Sequence, residues 1–223
     1  MSVSIGSSGE AAYSFKLFKG KYSVTFSPNS EDYQDVVPKI NMNLENNIEI
    51  NSDITKNFNL DTATVSGKVT INGATMQSNT KQYNETERRA SIYIANIESG
   101  STANVSLGSS GEAAYSMKVF KGKYRFSFNP NNADYQDAVP DINMVLENEV
   151  DISADTTRNF NLDTINFSGS VKLNGATMPE NTKQYNETER RGSVYIKNDS
   201  SGDGFSISIG SAGVAAFSTK IYK

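Results

Sequence analysis

The chain has 223 residues, 25 acidic against 21 basic, a formal net charge of −4, and no Cys, His or Trp. Lacking Cys and His, it offers no disulfide, thiolate nucleophile, imidazole base or common zinc donor set. A pI near 5.0 with dispersed Lys and Arg excludes the basic footprint that nucleic acid or an anionic membrane demands.

In chain order, the first feature is a motif that returns. Gly6-Ser7-Ser8-Gly9-Glu10-Ala11-Ala12-Tyr13-Ser14 recurs at 108–116, and Phe18-Lys19-Gly20-Lys21-Tyr22 at 120–124. Residues 57–62 recur at 159–164, and residues 81–89 at 183–191. Every offset is 102, without insertion, so the chain holds two periods and 19 residues of a third. No apolar run is long enough for a membrane-spanning helix, and Asn, Ser and Thr crowd the polar positions. The expected setting is extracellular or at a cell surface, with any export signal or anchor lying outside these residues.

Tyr22, Val24 and Phe26 alternate with Lys21, Ser23 and Thr25, and Ile40, Met42 and Leu44 alternate with Asn41, Asn43 and Glu45. Val65, Gly67, Val69 and Ile71 alternate with Ser66, Lys68, Thr70 and Asn72, a pattern repeated by Phe167, Gly169, Val171 and Leu173. Period two predicts strands with one buried and one wet face. Further strands are predicted at 90–96, 103–107, 113–119, 150–152 and 158–163, and no helical period competes. Seven or eight short antiparallel strands in about 100 residues, punctuated by Gly, Asn and Pro turns, describe a β-sandwich. The expected fold class is therefore all-β: tandem antiparallel sandwich modules, immunoglobulin-like or transthyretin-like, with a 102-residue period.

The stretch Val65-Ser66-Gly67-Lys68-Val69-Thr70, the turn Asn72-Gly73, the strand Ala90-Ser91-Ile92-Tyr93-Ile94, and the segments Gly111 to Ser116 and Phe120 to Phe126 together resemble the carboxypeptidase regulatory-like family. The resemblance covers most of each period and implies a transthyretin-like sandwich. Lys121 stands where that family usually has Pro, and the loop 77–89 is longer than its usual counterpart. The implied phase makes 63–164 a complete module, 1–62 the back part of one module and 165–223 the front part of another. The alternative cut is 1–102, 103–204 and an added hairpin at 205–223.

Candidate sites are few. Glu85 and Glu87, copied as Glu187 and Glu189, lie among Arg88 and Arg89 in a charged stretch that reads as a solvated loop. A glycosidase acid needs instead a raised pKa in a cleft. Asp32 and Asp35, copied as Asp134 and Asp137, and the turn residues Asp53 and Asp155 could supply oxygen to Ca²⁺, although their spacing matches no defined calcium loop. Tyr33, Tyr83, Tyr135 and Tyr185 sit in polar loops, where an exposed ring can stack on a sugar or pack on a neighbouring module. Lys–Asn isopeptide bonds occur in modules of the related collagen-binding-protein type B class, but alternation puts Lys68 on a polar face and its copy is Ser170. No catalytic residue, cofactor or confident metal site is expected.

The functional expectation is a non-enzymatic extracellular repeat. It would form a stalk, or assemble head to tail by β-strand complementation, with copies of itself as partner. The alternatives are a glycan- or protein-binding adhesin module and an accessory domain of a secreted hydrolase.

Overall fold

The structure, a computed structural model, describes residues 2–6, 11–30, 36–81, 88–132, 135–183, 190–199 and 202–223. Seventeen strands run through it, and no helix occurs among the described residues. The chain begins with the antiparallel pair β1 (Gly20–Phe26) and β2 (Met42–Ile50). Nine strands follow: β3 (Thr62–Ile71), β4 (Ala74–Thr75), β5 (Ala90–Asn96), β6 (Thr102–Ser106), β7 (Ala114–Phe120), β8 (Gly122–Pro130), β9 (Met144–Ile152), β10 (Thr156–Thr157) and β11 (Phe160–Leu162). The remainder comprises β12 (Thr164–Ser170), β13 (Lys172–Leu173), β14 (Ala176–Thr177), β15 (Arg190–Lys197), β16 (Gly204–Gly210) and β17 (Ala216–Tyr222).

The nine middle strands make a sandwich. One sheet has the order β6-β5-β8-β9; in the other, β3 pairs with β7 on one edge and with β10 and β11 on the other, while β4 folds back on the end of β3. Alternation explains the core. Val65 and Val69 of β3, Ile92 and Ile94 of β5, and Tyr124, Phe126 and Phe128 of β8 point inward and are buried, while Ser66, Lys68, Tyr93, Arg125 and Ser127 alternate with them on the other face. Burying such a side chain fully contributes about 1.5–3 kcal/mol. The Asn72-Gly73 turn takes φ of 51° and 74°, the left-handed pair that a tight hairpin requires, and Asn174-Gly175 repeats it at 52° and 78°.

Two details depart from the sequence pattern. β10 and β11 run parallel to β3, with Thr156 opposite Val65 and Phe160 opposite Val69, whereas alternation had suggested antiparallel neighbours throughout. A parallel pair needs a long crossover, and here nearly the whole module is that crossover. Between β10 and β11 the Arg158 carbonyl bulges over Gly67, where a Cβ would stand 1.8 Å from its oxygen. Ile40, expected to continue the strand of Met42 and Leu44, precedes β2 and is buried in the core of the middle sandwich.

The flanking segments repeat parts of this design. β1 and β2 pair as β8 and β9 do: Gly20 opposite Ile50 matches Gly122 opposite Ile152, and Val24 opposite Glu45 matches Phe126 opposite Glu147. Both pairs are interrupted by bulges, with Asn47 and Glu149 at φ of 59° and 52°. β12 pairs with β17 and β15 with β16, as β3 does with β7 and β5 with β6.

Candidate functional site

The most developed contact surface is a seam between the middle sandwich and a flanking segment, and it occurs twice. Val37-Pro38-Lys39-Ile40, an apolar run in the loop before β2, lies against β6 and β7. Val139-Pro140-Asp141-Ile142 lies likewise against β16 and β17. All nine residues lining the first cleft have their counterparts, 102 positions later, in the lining of the second. An edge-to-face aromatic pair closes each seam: Phe26 on Phe120 with centroids 5.9 Å apart, and Phe128 on Tyr222 at 6.0 Å. Ser99 Oγ donates to the Asn41 carbonyl at 3.0 Å in the first seam, and the Tyr222 hydroxyl donates to the Pro140 carbonyl at 3.3 Å in the second. Burial, and secondarily the nearby Asp141, push the Tyr222 hydroxyl well above its ordinary pKa. One position reports seam occupancy directly: Phe120 is 1% exposed, while its counterpart Phe18 is 91% exposed.

The two seams differ in closure. The first leaves a cleft of about 270 Å³, the second about 900 Å³, with Lys81, Asp141, Asp203 and Lys220 among its lining. The loop bearing the second seam is nevertheless fixed from behind. Gln136 is buried, donating from Nε2 to the Val139 carbonyl and accepting from the Val139 amide, both at 3.0 Å. Asn79 Nδ2 donates to the Tyr135 carbonyl at 2.8 Å. The amide and hydroxyl of Thr80 both donate to the Asp137 carboxylate, holding it below the usual carboxylate range.

Sequence reasoning missed a second fixed point. Arg89, expected in a solvated charged loop, is entirely buried. Its guanidinium donates to the carbonyls of Met76, Gln77, Leu107, Gly108, Ser110 and Gly111, at 2.8–3.3 Å. Burial lowers its pKa, yet arginine keeps its charge, so six carbonyl dipoles replace a counter-ion. The Gly-Ser-Ser-Gly motif that headed the repeat is therefore a ring of acceptors: Gly108 and Gly111 take left-handed φ of 53° and 69° and turn carbonyls inward. Arg191 makes the same kind of bonds to Met178, Gly210, Ala212 and Gly213, but is less buried.

The other sequence candidates fare as follows. Asp32, Asp35, Asp134, Tyr33, Tyr83, Tyr185, Glu85, Glu87, Glu187 and Glu189 lie outside the described residues. Asp137 is committed to Thr80, and Asp155 accepts the Thr64 amide at 2.7 Å, which ties the last edge strand to the first. Among the described residues no three His, Cys, Asp or Glu side chains converge as a metal site. Tyr135 is half-buried, its backbone held by Asn79 and Asn132. Lys68 pairs with Glu112 at 3.2 Å on the open surface, so it lacks the buried setting an isopeptide bond needs. What the seams do chemically is bury apolar side chains such as Ile40, Val139 and Ile142 between the middle sandwich and the segments that flank it.

No family model matches the chain, and no curated protein matches it. Among solved structures, it is similar to the crystal structure of a DUF3823 family protein from Parabacteroides merdae at 13% identity, covering 73% of this chain and 82% of that one with a TM-score of 0.32.

Proposed function

We propose that the protein is a non-enzymatic, extracellular structural repeat whose modules are laid end to end as a stiff stalk. The carrying observation is the seam itself, present twice at equivalent positions 102 residues apart, each closed by an edge-to-face aromatic pair. Connection length supports it, because Asp163 alone separates β11 from β12. A one-residue tether leaves adjoining modules little freedom to swing. The absence of Cys and His from the sequence favours a mechanical over a chemical role, and a net charge of −4 spread over polar loops suits an exposed, soluble surface.

Small-angle scattering from the chain and from Ile40→Asp at equal concentration tests this reading. The native chain should scatter as one rigid elongated body, whereas a charge in the first seam should broaden the distance distribution and raise the flexibility index. Identical curves from both would refute the stalk.

A further inference from the structure

Four strand edges outside the middle sandwich lack the neighbour that their counterparts have inside it. Among the described residues, β12 pairs with β17 alone, whereas β3 is flanked by β7 on one side and by β10 and β11 on the other. β15 pairs with β16 alone, whereas β5 lies between β6 and β8. β1 pairs with β2 alone, whereas β8 lies between β5 and β9. Residues 54–60, counterparts of β10 and β11, are in no strand pair. Inside the middle sandwich these edges satisfy each other two by two.

We propose that a second copy of this chain fills them, its residues 54–60 adding as a parallel strand to β12 while its β1 adds antiparallel to β15. The inference deepens the end-to-end reading by naming the partner and its register. Transferring the middle sandwich's pairing sets Ile54 opposite Phe167, Phe58 opposite Val171 and Leu60 opposite Leu173. On the other sheet it sets Thr25 opposite Tyr195 and Phe26 opposite Val194.

The residues that hold β10 and β11 to β3 are retained on both sides of the transferred pairing. Asp155, Asn159, Asn161 and Thr164 bond to the backbone or side chains of Thr64, Lys68, Gly73 and Asn72, and their counterparts are Asp53, Asn57, Asn59 and Thr62. The receiving strand keeps Gly169, Asn174 and Gly175 in the places of Gly67, Asn72 and Gly73. Gly169 matters most, since the Lys56 carbonyl must lie over it as the Arg158 carbonyl lies over Gly67.

The donor segment is already held in position. Lys56 pairs with Glu45 at 2.8 Å, as Arg158 pairs with Glu147. The receiver shows the cost of being unfilled. Ile165 and Phe167 are 43% and 41% exposed where Ala63 and Val65 are buried. The described part of residues 2–18 would be displaced by β16 and β17 of the receiving copy. That stretch carries no strand pairing, so the exchange sacrifices little beyond the bond from the Tyr13 hydroxyl to the Lys56 carbonyl. Open edges of this kind recruit strands, and like sequence sets which strand and which register.

Because the chain has no cysteine, introduced thiols report the register cleanly. Thr25→Cys and Tyr195→Cys chains, mixed and mildly oxidised, should form a disulfide-linked dimer, and the double variant a ladder of cross-linked oligomers. Lys21→Cys with Tyr195→Cys, four residues out of register and beyond the roughly 7 Å that a disulfide spans, should give at least about tenfold less. A synthetic peptide of residues 53–62 should suppress the ladder by occupying β12. No in-register dimer, or equal yields in and out of register, would overturn the proposal. A chain that scatters as a rigid rod yet never cross-links would keep the stalk and refute the exchange, so the two failures are distinct. Circular dichroism of each thiol variant, matching the native spectrum, shows that it has folded.

Discussion

Val65 and Phe167 occupy the same phase of the repeat, on first strands of the same pattern, yet Val65 is wholly buried and Phe167 lies open. The middle sandwich and the flanking segments share their turns, their bulges and most strand pairings. What separates them is the neighbour on the second edge of each strand. Near-identical sequence therefore yields a closed core in one place and an open one in another. Closure here is a property of pairing, because a two-stranded ribbon has no second layer to bury its apolar face against.

The largest expected effect sharpens that contrast at a single repeat position. Phe120→Ala should destabilise the middle sandwich by about 3–5 kcal/mol in denaturant unfolding, since it removes a buried ring. Phe18→Ala at the counterpart should stay within about 0.5 kcal/mol. Equal costs would mean that the seam does not bury this position.

Next comes the buried guanidinium. Arg89→Met strips the donors from six carbonyls and should cost about 2–4 kcal/mol, with each unsatisfied buried acceptor contributing. Arg191→Met, at a less buried counterpart, should cost clearly less by the same measurement.

A smaller, selective effect is expected from the paired glycines. Gly67→Ala places a methyl against the Arg158 carbonyl and should destabilise by about 1–3 kcal/mol. Gly169→Ala meets only the Phe217 ring within the chain, so its folding cost should be smaller while its cross-linking to a second copy falls away. Loss of stability without loss of cross-linking would break the comparison.

The smallest effect concerns pH. Asp137 has a depressed pKa through Thr80, so the stability it contributes is present above the ordinary carboxylate value of about 3.9 and is lost as pH falls through the lower folded value. The protection of the Thr80 amide, taken relative to its intrinsic exchange rate, should fall as pH drops below the ordinary carboxylate value, and Asp137→Asn should flatten that dependence.

The strands were legible because alternation is local. Val65, Val69, Ile92 and Ile94 announce a buried face whatever stands beyond it. The seam was not, since Val37, Pro38 and Lys39 lie outside the alternation, and Ile40 reads as the first inward residue of the strand of Met42 and Leu44 rather than as a contact to another sheet. Its visible trace was an apolar run around Pro, returning as Ala138-Val139-Pro140-Asp141-Ile142. Arg89 was hidden by Glu87 and Arg88, whose charges made the whole stretch look solvated. Carbonyl acceptors come from backbone shape, which a residue pattern does not display, although the repeated Gly-Ser-Ser-Gly was their one outward mark.

The most direct test of the paired-edge account is amide hydrogen exchange followed against chain concentration. The account predicts that amides of β3 are protected at every concentration, while those of residues 54–60 and β12 exchange fast in dilute solution and gain protection together as copies meet. Fast exchange in both segments at all concentrations, or protection already complete at high dilution, would contradict it.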